Sequence, residues 1–313
     1  MKEFGFIERI SLSYCSRKAN AFVKTFANTN QDLNITLCAY DEDRYSIFHP
    51  RKFFISVLSK QASFLQTFNL KTGHVSKYGF NEQGHFIIYC DDVVRECREI
   101  ADYICDLFKI PVANLTIASE SVLWLLDFAQ RRQEQPLKTV YMPHCDVTAE
   151  SYLRLISCNA TKNLQCWISP PNNFRFDAKL PTVKDLIIAY GSWISREQLL
   201  GLESHIAQIC SAQLTSLDIN ALLRSWVNGG LPNLQFLRIF GKTLNNQVYE
   251  GIRDRLEQVE REISYNWEHL GPAAKFDTNA FHIRNDDGVV ATVTFIDKLF
   301  VMAVWPDLDG NRV

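Results

Sequence analysis

No stretch of this sequence approaches the roughly 20 consecutive apolar residues that a membrane helix needs. The first residues, MKEFGFIERI, carry charges at Lys2, Glu3, Glu8 and Arg9, so no uninterrupted apolar segment follows Met1 as a secretory signal requires. Neither membrane insertion nor export is expected. An excess of one charge is also lacking. With 33 Lys+Arg against 35 Asp+Glu, the formal net charge is −2, which gives no global electrostatic reason to bind nucleic acid or an anionic membrane. The motifs of common catalytic chemistry are missing too: no CxxC, no HExxH, no His pair at metal-ligand spacing and no phosphate-cradling loop. Gly229-Gly230 follows a helical pattern and reads as its C-terminal stop. No cofactor and no metal are expected.

What the sequence does have is core-forming material. Its 313 residues suffice for one large or two ordinary domains, and 47% hydrophobic with 22% charged residues is the balance of a globular protein. Nine cysteines could suggest disulfides, but the number is odd and the protein is too long to need them. Cys38 in ITLCAY, Cys90 in FIIYC and Cys166 in LQCWI sit in apolar contexts that read as buried thiols. This points to a reducing compartment, cytoplasmic or nuclear.

From the N-terminus onward, residues 4–26 have helical periodicity, with one break near Ser11–Ser13. Ile7, Ile10, Tyr14, Ala21 and Phe22 lie near one face, with Arg17, Lys18 and Lys24 mostly off it. After the polar linker ANTNQDLN come strand candidates LNITLCAY, KFFISVLS and HFIIYC. The helix DDVVRECREIADYICDLFKI follows, ending at Pro111. From Leu115 strand-like and helix-like segments alternate, with strand starts roughly 20 to 30 residues apart, the range of leucine-rich repeats. Within this series LPTVKDLIIAYG precedes SREQLLGLESHIAQIC. The stretch 246–270, with Val248, Ile252, Leu256, Val259, Ile263 and Trp267 on one stripe, reads as a long helix, either packed on the protein's own body or pairing as a coiled coil. The end alternates with period two around Asp287-Gly288, predicting three antiparallel strands at about 280–284, 289–296 and 299–305.

Few residues compete for a catalytic role. His144, Cys145 and Asp146 are adjacent, so their side chains diverge and one site could hardly use all three. Cys97 and Cys105 share a helix stripe with Ile104 and Leu107, the pattern of buried thiols rather than nucleophiles. The acidic stretch Asp41–Arg44 reads as a solvated turn or, alternatively, as an acid/base pair. No enzyme constellation emerges, and a non-catalytic protein is expected.

Two distant stretches resemble a known family. ISLSYCSRKANAFVKTF resembles the closing part of an F-box, as found in the large nematode family of F-box proteins. LTSLDINALLRSWVNGGLPNLQFLRI, followed by FHIRNDDGVVATVTFIDKLFVMAVW, resembles that family's F-box-associated domain, type 2. The resemblance implies an adaptor, the substrate-receptor subunit of a cullin-RING ubiquitin ligase. Its F-box would dock to a Skp-type linker protein and hence the cullin scaffold, and its C-terminal domain would capture a protein target. An F-box opens with a Leu-Pro motif and a helix that have no counterpart here, so the expectation is a partial F-box, truncated at its N-terminus, that docks weakly or not at all through Phe6, Ile7, Ile10 and Leu12. From pattern alone the same segment reads as an amphipathic helix packed on the protein's own body.

The expected fold is therefore α+β. A short helical F-box remnant (1–27) precedes a β-rich segment and helix (28–110). An irregular leucine-rich-repeat-like and F-box-associated domain (111–313) follows, closing with an antiparallel three-stranded segment. Target contacts are expected from Trp167, Phe174, Arg175, Phe176 and Trp193, since aromatic and Arg residues dominate interface energies. SPPNNFRFD is the longest loop-like insertion among the repeats, and its apolar residues read equally as core cover. The competing function is a repeat-type binding module that works without ubiquitin.

Overall fold

The amphipathic N-terminal stretch forms two helices, α1 (Phe6–Cys15) and α2 (Arg17–Ala27), so the break falls at Ser16, later than the periodicity suggests. In this computed structural model the described residues are 6–27, 35–40, 44–49, 53–58, 66–69, 75–80, 86–89, 93–265 and 274–305. Most of the polar linker, Asp41 to Asp43 of the acidic stretch, Trp267 and the side chains of Phe6, Ile7, Cys38 and Cys90 lie outside them. The protein divides into two compact units, 1–146 and 147–313.

In the first unit, β1 (Ile35–Tyr40), β2 (Arg44–His49), β3 (Phe53–Leu58), β4 (Gln66–Asn69), β5 (Val75–Phe80) and β6 (Phe86–Tyr89) precede α3 (Val93–Phe108). β7 (Val112–Ile117), α4 (Trp124–Arg132) and β8 (Leu137–Met142) complete it. The strands run in the order β4-β5-β6-β3-β2-β1-β7-β8, with β1, β7 and β8 parallel. β2, β4 and β5 were not expected from the pattern. Lys109 in the left-handed region (φ 52°) stops α3 before Pro111. The stripe Cys97, Ile100, Ile104 and Leu107 of α3 is buried, as its periodicity demands. The N-terminal helices lie on α3. Ile10 and Val23 are 2% and 0% exposed, Tyr14 stacks on Tyr103 at 4.5 Å, and the Tyr103 hydroxyl donates to Ser13 Oγ (2.6 Å) and accepts from Asn20 Nδ2 (2.8 Å).

The second unit begins with α5 (Ala149–Ile156), β9 (Ala160–Cys166), β10 (Asp185–Ile188), α6 (Arg196–Leu200), β11 (Ile206–Ile209), α7 (Ser216–Val227) and β12 (Phe236–Phe240). β9 to β12 pair in parallel, in sequence order. β10 is buried on both faces, which is why DLII is an unbroken apolar run after its first residue, whereas β9 exposes Thr161 and Lys162. Of the stretch SREQLLGLESHIAQIC, only Arg196–Leu200 is helical, and Ile206–Ile209 forms β11. Both α6 and α7 carry capping boxes. Asp218 accepts from the Thr215 N–H and hydroxyl (2.7 Å each) and pairs with Arg196 of α6 at 2.7 Å. Partial burial acts to raise the Asp218 pKa, but these three bonds outweigh it and hold the carboxyl below its usual range. The Gly229-Gly230 stop is realised, with Gly229 at φ +82° and its N–H donating to Trp226 O.

The long helix expected at 246–270 is absent from its described part, 246–265. Two short 3-10 turns, Asn246–Tyr249 and Arg253–Arg255, lead into β13 (Leu256–Gln258) and β14 (Ile263–Tyr265). Gly251 sits at φ +70°, outside any right-handed helix. The backbone finds partners far away in sequence instead: buried Asn220 of α7 donates to Val248 O (3.0 Å) and Glu250 O (2.8 Å). β15 (Ala274–Phe276) pairs with β14. β16 (Phe281–Arg284), β17 (Val290–Ile296) and β18 (Leu299–Trp305) are the three antiparallel strands read from the alternation. β18 pairs with β12, giving the order β9-β10-β11-β12-β18-β17-β16-β13. A core of Phe236, Tyr265, Phe276 and Trp305 closes this end.

Candidate protein-binding site

The carboxyl ends of β9, β10 and β11 border an open recess. Parallel strands deliver their outgoing loops to one edge of the sheet, and here the loops after all three converge. The loop after β9 turns at Pro171, whose carbonyl accepts from Phe174 N (3.1 Å), with Asn173 left-handed at φ 64°. It is pinned by buried Gln198 of α6, whose amide donates to the Phe176 and Ala178 carbonyls. The loop after β10 passes so close to β11 that only glycine fits at 191. A Cβ there would meet Ile209 Cγ2 at 2.6 Å and Ile194 Cδ1 at 3.0 Å.

Between these loops lies a cavity of about 340 Å³ lined by Ser169, Pro170, Phe174, Tyr190, Ser192, Trp193 and neighbours. Behind the lining lies Tyr152 of α5, fully buried, which meets Phe174 edge-on at 4.6 Å and Trp193 at 6.3 Å. Trp193 also meets Phe174 at 5.7 Å and Phe176 at 5.4 Å, both near-perpendicular, the geometry aromatic quadrupoles favour. The Tyr152 hydroxyl accepts from Trp193 Nε1 (3.2 Å) and from the Cys166 thiol (3.7 Å), and burial pushes its pKa well up, so it stays protonated. No described lining residue carries a charge. The site is thus a neutral recess with aromatic residues in its wall and hydroxyl and amide groups at its mouth, a lining suited to holding a side chain.

Of the expected target contacts, Phe174 and Trp193 line this cavity. Phe176 packs behind Trp193 at 8% exposure, Arg175 is exposed beside it, and Trp167 is half-buried outside the lining. Sequence reasoning missed Tyr152, Tyr190, Gly191 and Gln198. Tyr152 stood in a helical pattern that marks it only as core, and the others act through loop geometry that leaves no periodic signal. Of the expected linker contacts, Ile10 is buried and Leu12 half-buried. His144 and Asp146 are exposed and Cys145 is half-buried. Burial pushes the thiols of Cys97 and Cys158 up to about 12 and that of Cys105 up to about 11, the reverse of an activated nucleophile. No group of His, Cys, Asp and Glu able to hold a metal ion occurs among the described residues, and no helix among them is long and apolar enough to cross a membrane.

Residues 179–239 match the model of a family described as F-box associated. That segment runs from the end of the loop after β9 to β12, and so contains Tyr190, Ser192, Trp193 and Ser211 of the lining and Gly191 and Gln198, which hold the loops. Over 73 residues, 23% of this protein, the sequence is 30% identical to E3 ubiquitin-protein ligase hecw-1 of Caenorhabditis elegans, of which the matched stretch spans only 6%. No solved structure matches the sequence significantly.

Proposed function

We propose that this protein is a non-catalytic substrate receptor for a cullin-RING ubiquitin ligase, with the recess at the ends of β9, β10 and β11 capturing the target protein. The observation that carries this reading is the overlap of the F-box associated match with the strands and loops that build the recess. The strand/helix series around it would serve as a leucine-rich-repeat-like binding scaffold. Linker and cullin contact would come from α1 and α2, the segment that resembles an F-box, acting in the cytoplasm or nucleus.

One observation favours a second reading, a protein-binding module without linker docking. Ile10, Ser13 and Val23 are buried, and Tyr14 stacks on Tyr103 of α3, so one face of α1 and α2 is already occupied. Docking is then left to the outer surface, where Phe22 is 49% exposed beside Arg17 and Lys18.

Affinity purification with the full-length protein and a Trp193→Ala variant tests the proposal. The receptor reading expects linker and cullin with both proteins, and loss of at least one further protein with Trp193→Ala. Identical co-purifying sets would remove the recess as the target site. Retained targets without linker or cullin would establish the second reading.

A further inference from the structure

The segment that fails to become a helix folds against β16 and β17 and encloses a second cavity, of about 410 Å³. Its wall is aromatic. The Tyr249 ring meets Phe281 at 5.3 Å, near-perpendicular, and Phe295 at 5.5 Å, and Leu256 extends the apolar surface. The Tyr249 ring is 6% exposed, and its hydroxyl, which is not one of the fully buried polar atoms, makes no hydrogen bond to the described residues and is open to the cavity. Burial alone raises its pKa, so the group is a protonated donor at any physiological pH.

Arg253 also lines the cavity, is exposed, and makes no ion pair or hydrogen bond within the described residues. Its neighbour Arg255, by contrast, is paired to Asp286 at 2.7 Å. No acidic side chain is among the described lining residues, so a positive charge stands at the edge of an aromatic wall beside an O–H donor that the described residues leave open to a ligand.

We propose that this cavity binds a peptide segment presenting an apolar side chain next to a single carboxylate, with the apolar group against Tyr249, Phe281 and Phe295 and the carboxylate on Arg253. The Tyr249 hydroxyl supplies a second donor to the same segment. One guanidinium suits a monoanion, whereas phosphate sites gather several Arg side chains. The volume lies at the low end for ligand pockets, enough for a residue or two of peptide. The carboxylate has two possible sources, a free C-terminus or the side chain of an Asp or Glu. This site is separate from the recess at the strand ends and does not depend on linker docking.

The test is calorimetry of the full-length protein with three sets of acetylated hexapeptides: ending in Phe or Leu as free acids, the same peptides amidated, and amidated peptides with an internal Phe-Glu. Binding of the free acids alone assigns a C-terminus, and binding of the internal-acid set alone assigns an acidic side chain. Binding of both supports the shared chemistry. Amidated acid-free peptides should bind at least about tenfold more weakly, since hydrogen bonds to charged groups are the strong ones. Arg253→Gln should erase that difference. Tyr249→Phe should weaken binding by about threefold to tenfold without lowering the melting temperature, because the hydroxyl it removes has no partner in the free protein. No binding by any acid-bearing peptide, equal binding by the acid-free set, or unchanged affinity in both variants would overturn the proposal.

Discussion

The parallel and antiparallel halves of the 147–313 unit make their cavities in opposite ways. In the parallel half, no side chain of β9 to β12 lines the recess, which is built beyond the strand ends by loops. Those loops are held by a glycine with no room for a Cβ and by one buried amide, Gln198. In the antiparallel half, the cavity wall comes from Phe281 of β16 and Phe295 of β17 themselves, closed over by a segment tethered to Asn220. Parallel connections need long crossovers that arrive at one edge, so that edge is free to vary. Tight hairpins leave little loop to spare, so a ligand site there uses strand faces.

The contrast would break first if the halves were energetically separate. Phe236 is fully buried on β12, which pairs with β11 on one side and β18 on the other, and it stacks on Tyr265 at 5.3 Å. Phe236→Ala should destabilise the unit by about 3–5 kcal/mol in urea unfolding. The loss should appear on spectroscopic probes of both halves together, whereas a shift confined to one half would separate them. Next in size is Gly191→Ala. The added methyl should cost about 2–3 kcal/mol through overpacking against Ile209 and Ile194 and should disturb the recess, leaving the second cavity's ligand affinity unchanged.

Asn220→Ala strikes the other half. It strips the Val248 and Glu250 carbonyls of their donor, for a loss of about 1–2 kcal/mol. Hydrogen exchange should quicken over 246–256 and not in the loops after β9 and β10.

The smallest effect is one of pH. The Trp305 indole donates to Thr292 Oγ1 (2.7 Å), which lies 2.9 Å from His282 Nδ1. Burial holds the His282 pKa below its usual value, partly opposed by Glu257. The unfolded state therefore takes up this proton first as pH falls through about 6.5, and stability declines below that pH and is flat above it for this group. His282→Gln should flatten the decline in melting temperature between about pH 7 and pH 5.5. An unchanged slope would place the pH dependence elsewhere.

The sequence revealed elements whose stabilising partners are local. α3 showed itself through its buried stripe, and the last three strands through alternation around a turn whose Gly288 takes φ +83°. The failure at 246–265 has the same physics in reverse. Val248, Ile252 and Val259 are buried as a helical stripe would require, but that spacing also suits a backbone that turns at Gly251 and then pairs with β16. The deciding bonds come from Asn220, some 30 residues away in sequence, and from the Ala280 carbonyl, which accepts from Val259 N. The recess was half visible. Aromatic residues in a proline-containing loop flagged Phe174 and Trp193, while Tyr152 beneath them looked like any core tyrosine.

The most direct measurement is binary binding of the purified full-length protein to a purified Skp-type linker protein, by size-exclusion chromatography and calorimetry. A receptor should form a one-to-one complex of micromolar affinity or tighter, weakened by substituting Phe22 on the exposed side of α2 and untouched by Trp193→Ala. Absence of any complex at tens of micromolar protein would contradict the ligase-receptor account and leave a binding module that works without the linker.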